Sequence, residues 1–84
     1  MRNQHVWNET TADNDRREVR AVKFAGKWKL QSRLKGEETW TYHDPPALAD
    51  LEALRDVVFR KYQRRRAAYE DVRSIEQLIS QTRA

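Results

Sequence analysis

The chain has 84 residues, 38% hydrophobic and 36% charged, with seventeen Lys and Arg against thirteen Asp and Glu, a formal net charge of +4 and no cysteine. A chain this short supports one domain, buries only about 60% of the surface its unfolded form exposes, and leaves little room for an enclosed active site. The absence of cysteine excludes disulfides, thiol nucleophiles and zinc ribbons, two histidines argue against a histidine zinc site, and the basic balance favours an anionic partner.

The opening residues MRNQHVWNETTADNDRR lack the apolar core of a signal peptide. No stretch approaches the ~18 apolar residues of a membrane span, so a cytoplasmic location and no membrane partner are expected. Asn8, Glu9 and Thr10 match a glycosylation acceptor, which without an export signal reads as chance. Residues 1–16 are polar and aperiodic and read as a disordered tail, leaving 17–84 as a single small α+β domain. Trp7 is the exception in that tail, and docking on the domain or simple disorder is preferred over anchoring a partner.

Three strands are predicted over Glu18–Lys23, Lys27–Arg33 and Glu37–His43, separated by FAG and LKG. Each Gly is read as the left-handed third residue of a three-residue hairpin loop. In that register Val22 faces Trp28, Leu30 faces Trp40, and Trp28 faces Tyr42. A rival register makes Gly36 and Glu37 a two-residue turn, which shifts the third strand by one side-chain parity and puts Trp40 and Tyr42 among the lysines. The first is preferred because it sets Glu37 across from Arg33 and keeps the alternation, although the second stays open.

A long helix is predicted from HDPPALADLEALRDVVFRKYQRRR, with Asp44 as cap and Pro45 in the first turn. Leu48, Leu51, Leu54, Val58, Phe59 and Tyr62 form its apolar stripe, and Glu52/Arg55 and Asp56/Arg60 supply local ion pairs. Val72, Ile75, Leu78 and Ile79 predict a second, shorter helix, capped by Asp71 or by a Ser74/Gln77 capping box. No Gly or Pro marks a break, so continuation through Ala67 and Ala68 is the alternative. The expected architecture is a β-β-β-α-α chain, a three-stranded antiparallel meander packed on one face by two C-terminal helices. Trp28, Leu30, Trp40, Tyr42, Leu51, Leu54, Val58 and Ile75 are its expected core.

The residues do not suggest an enzyme. His5 and His43 are far apart, Ser32, Ser74 and Ser80 have no obvious base, and there is no Gly-rich phosphate loop. Glu37, Glu38, His43 and Asp44 read as solvated turn charges and a helix cap, so no metal and no cofactor are expected.

GKWKLQSRLK, residues 26–35, alternates apolar even positions with basic odd ones. The open sheet face is therefore expected to carry Lys23, Lys27, Lys29, Gln31, Arg33, Thr39 and Thr41. Any one-sided sheet needs polar residues outside, and that plain reading is kept beside the functional one, in which the face contacts nucleic-acid phosphates. Arg60, Lys61 and Arg64 add a second basic patch on the first helix, extended by Arg65 and Arg66.

With GKW at the start of the second strand, a three-stranded sheet backed by a helix resembles the plant ethylene-response DNA-binding domains and the arm-binding domains of phage integrases. This likeness of architecture covers residues 19–66 and implies a sheet laid in the DNA major groove. The chain departs from both in its second C-terminal helix and in having fewer arginines on the sheet. The function expected is a small non-enzymatic binding module. The alternative is a protein-interaction module or a homodimeric assembly subunit, drawing on Ala49, Ala53 and Val57 of the outer helix face and on Trp7.

Overall fold

The computed structural model describes residues 4–83, which fall into two compact units divided between Pro45 and Pro46. The class is α+β, with four strands where three are expected. The first unit is an antiparallel meander in the order β1 (Gln4–Thr10), β2 (Arg16–Phe24), β3 (Lys27–Leu34) and β4 (Thr41–His43). The second holds α1 (Leu48–Gln63) and α2 (Tyr69–Arg83).

The additional strand, β1, corrects the reading of the first sixteen residues as a tail; residues 1–3 lie outside the described range. Its register sets His5 opposite Ala21, Trp7 opposite Val19 and Glu9 opposite Arg17. The loop to β2 is closed by Asn14 N–H to the Thr11 carbonyl (2.9 Å) and Thr11 N–H to the Asp15 carbonyl (2.8 Å). Asn14 takes φ +67°, a left-handed conformation that Asn tolerates better than most residues.

Both predicted hairpin loops differ from those found. Phe24 pairs with Lys27, so Ala25 and Gly26 alone make the first loop. Both have positive φ (+52° and +77°), the pattern of a type I′ turn, whose twist matches that of the flanking strands. Losing one loop residue shifts the register: Lys23, not Val22, faces Trp28. The β3–β4 connection turns at Gly36 (φ +94°), with Glu37 N–H donating to the Leu34 carbonyl at 3.0 Å and the Glu37 carboxylate accepting from Leu34 N–H at 2.7 Å. Leu30 then faces His43 and Gln31 faces Tyr42. This is the side-chain parity of the rival register, not of the preferred one.

Directly opposed residues share a face. The buried face holds His5, Val19, Ala21, Trp28, Leu30 and Ser32. Of the expected core, Trp28, Leu30, Leu51, Leu54, Val58 and Ile75 are buried, whereas Trp40 is half-buried and Tyr42 is 70% exposed.

Helix α1 starts three residues later than predicted. Pro45 precedes Pro46, and a residue before proline is pushed out of the helical region. Ala47 is the extended N-cap residue, without a side-chain cap, and Leu51 N–H closes the first turn on its carbonyl at 3.1 Å. The two helices are separate. Arg65 adopts φ +59°, its N–H bonding the Tyr62 carbonyl and Arg66 N–H bonding the Lys61 carbonyl at 2.7 Å. This is a Schellman ending with arginine where glycine is usual. Helix α2 begins at Tyr69, so Asp71 and Ser74 lie inside it instead of capping it, and Ser74 Oγ donates to the Asp71 carbonyl at 2.9 Å.

Leu51, Leu54 and Val58 of α1 and Val72, Ile75 and Ile79 of α2 are buried, one stripe from each helix. Phe59 and Tyr62, predicted for the stripe, are exposed. Glu52 and Arg55 pair across to α2, with Arg83 at 3.3 Å and Glu76 at 3.6 Å, instead of with each other.

Candidate functional site

The open face of the sheet presents Arg16, Glu18, Arg20, Val22 and Phe24 from β2, Lys27, Lys29, Gln31 and Arg33 from β3, and Tyr42 from β4. The two-residue loop sets the β2 share of this membership, because it moves every β2 side chain by one parity relative to β3, while the β3–β4 connection sets Tyr42 opposite Gln31. Lys27, Lys29, Gln31 and Arg33 therefore do stand together as expected. Lys23 does not: it lies beside Trp28 on the other face, its Nζ 5.9 Å from the indole centroid. Thr41, opposite Ser32, is also on that other face, and Thr39 lies in the connection before β4. Arg60, Lys61 and Arg64 belong to the helical unit, in or just after the last turn of α1.

Gln31, one of the residues expected on the open face, is 7% exposed. With its amide oxygen toward Arg20, it accepts from that guanidinium's Nε at 2.6 Å. Arg33 donates to Glu18 at 2.9 Å. Lys27 and Lys29 have no carboxylate partner among the described residues. The strand residues of this face thus carry Arg16, Arg20, Lys27, Lys29 and Arg33 against Glu18 alone.

The preferred register missed the aromatic share of this surface, whereas the rival one put Trp40 and Tyr42 on it; Phe24 was in neither. The guanidinium carbons of Arg20 and Arg33 lie 4.3 and 4.6 Å from the Trp40 centroid, within cation–π range. Lys29 Nζ lies 5.8 Å from the Phe24 centroid. Phe24 is 67% exposed, and neither it nor Tyr42 contributes to the core. A signal did exist: Ala25–Gly26 read as a two-residue loop puts Phe24 beside Lys27, but an alanine at positive φ is uncommon enough to disfavour that choice.

A second polar group closes one end of the buried face. Arg17 pairs with Glu9, its Nη2 donates to Ser32 Oγ at 3.3 Å, and it lies 3.5 Å from His43 Nε2. Ser32 Oγ is 2.6 Å from that same nitrogen, a contact the sequence reading did not foresee because it put His43 out of register. The spacing is that of a nucleophile and its base. However, Ser32 is buried and a guanidinium shares the ring nitrogen, so the group reads as a hydrogen-bonded network that satisfies polar side chains.

Among the described residues no cluster of His, Asp or Glu is arranged to hold a metal ion, and no helix is long and apolar enough to cross a membrane. Searches against protein-family models, curated proteins and solved structures found no match to the chain.

Proposed function

We propose that the chain is a small binding module whose open sheet face contacts nucleic acid. The observation that carries this reading is the pairing on one exposed surface of five cations, Arg16, Arg20, Lys27, Lys29 and Arg33, with the rings of Phe24, Trp40 and Tyr42. Cations at the surface meet phosphate without the desolvation cost of a buried charge. Such contacts give affinity without sequence information. The four-stranded order differs from the three-stranded domains that the sequence resembles, so their docking in the major groove is not carried over.

A titration at several salt concentrations tests the reading. If about three phosphates are neutralised, the logarithm of the binding constant falls against the logarithm of salt with a slope near −2.7 for duplex DNA or near −2.1 for a single strand. Lys27→Glu/Lys29→Glu is the informative variant, because both side chains are exposed and neither has a carboxylate partner to lose. Binding that is absent at low salt, or indifferent to that double change, rejects the reading.

A second reading, association with a protein or with another copy of the chain, draws on three exposed rings of the helical unit. Phe59 and Tyr62 lie 6.2 Å apart, and Tyr62 and Tyr69 lie 5.3 Å apart. Solution mass that rises with concentration, and is lowered by Tyr62→Ser, would favour it.

A further inference from the structure

We infer that the open face takes an unpaired strand in preference to a duplex, with bases stacked on Phe24 and Tyr42; this rests on the nucleic-acid reading above. The ligand class is a polyanion with accessible base faces, DNA or RNA.

Three observations lead there. Phe24 and Tyr42 are the most exposed large hydrophobic side chains among the described residues, and both rise from the same face as Lys27 and Lys29. Phosphate binding alone has no use for them. A duplex offers a protein its phosphates and groove edges, because its base faces are stacked on one another, whereas an unpaired strand can splay its bases onto aromatic rings.

Each ring region also has cations close by. Lys29 Nζ is 5.8 Å from the Phe24 centroid, while Tyr42 faces Gln31, the residue between Lys29 and Arg33 on this side of β3. A nucleotide stacked on either ring would carry its phosphate past one of these cations.

The spacing suits more than one nucleotide. Phe24 is level with Lys27 and Tyr42 is level with Gln31, four residues along β3, or about 13 Å at strand rise. They stand on strands either side of β3, about 9.6 Å apart at ordinary strand spacing. The two platforms are therefore about 16 Å apart diagonally, and a strand using both crosses β3 over Lys29.

The test compares three ligands of equal length by fluorescence anisotropy: a single strand, a duplex, and a base-free strand with the same phosphates. The wild-type chain should bind the single strand about tenfold or more tightly than the base-free strand. Phe24→Ala/Tyr42→Ala should remove that advantage and leave duplex and base-free affinities within about twofold. Circular dichroism should find the variant folded, since both rings lie outside the core. Equal affinity for base-bearing and base-free strands, or an unaffected double variant, overturns the inference. If all three ligands bind equally and Lys27→Glu/Lys29→Glu abolishes that binding, stacking is rejected while phosphate contact survives. If none binds at low salt, both fail. Deoxyribose and ribose versions of the strand distinguish DNA from RNA as the source.

Discussion

Lys23 and Trp28 stand directly opposite each other beside the first hairpin, the ammonium within cation–π distance of the indole. That pairing exists only because two residues, not three, turn the chain. Ala25 is the weak point, since a left-handed conformation costs an L-residue roughly 1–2 kcal/mol. Ala25→Asn should raise stability by about 0.5–1 kcal/mol, read as a higher denaturant midpoint at unchanged slope. Gly26→Ala should lower it by about 1–2 kcal/mol. A Cβ at Gly26 meets nothing within 4 Å, so that loss would come from backbone conformation alone.

The helical unit has the same kind of site. Arg65 occupies the position after the helix cap that favours glycine, and Arg65→Gly should stabilise the chain by up to about 1 kcal/mol in thermal or urea unfolding. A loss of stability would mean that the arginine side chain contributes more through its stem than its backbone costs.

Side-chain deletions should separate the core from the open face. Leu30→Ala and Leu54→Ala, at positions 1% and 0% exposed, should each cost about 2–5 kcal/mol, enough to unfold a domain this small. Tyr42→Ala should stay within about 0.5 kcal/mol of wild type. A large loss at Tyr42 would mean that its ring is packed, and would weaken its assignment as a stacking platform.

Glu18 holds Arg33 at 2.9 Å and opposes the charge of the surface around it. Glu18→Gln should therefore tighten nucleic-acid binding, with the salt slope steepening by about 0.7–0.9 if Arg33 then engages one more phosphate. An unchanged slope would leave Arg33 as a support for Trp40 only.

Both helices and strands β2 and β3 were legible in the sequence, because Val19 and Ala21, Trp28 and Leu30, and the helical stripes Leu51, Leu54, Val58 and Val72, Ile75, Ile79 recur at strand or helix period, even though Gln31, Ser32, Asp50 and Asp71 are buried beside them. β1 was not. Its inward positions are His5, Trp7 and Glu9, two of them polar, and they satisfy no alternation of apolar with polar residues. The basic row Lys27, Lys29 and Arg33 was legible because period two holds within one strand whatever its neighbours do. Which β2 and β4 side chains share that face depends on loop length: reading the first loop one residue too long put Lys23 on the face and left Arg20 and Phe24 off it, and the preferred second register, three residues from the one found, took Tyr42 off a face where the rival register had put it. The break between the two helices at Arg65 carried no glycine to announce it.

The shortness of β4 bears on how the molecule behaves when concentrated. β4 pairs only with Leu30, Gln31 and Ser32, so among the described residues no strand covers that side of Lys27–Lys29. An open strand edge is a template for another chain, and paired lysines at such an edge repel a second copy. Mutants that neutralise both side chains would thus be prone to intermolecular strand addition and precipitation, as would the wild-type protein in salt high enough to screen them. A reversal to glutamate keeps the edge charged, which allows ligand affinity to be tested without loss of colloidal stability.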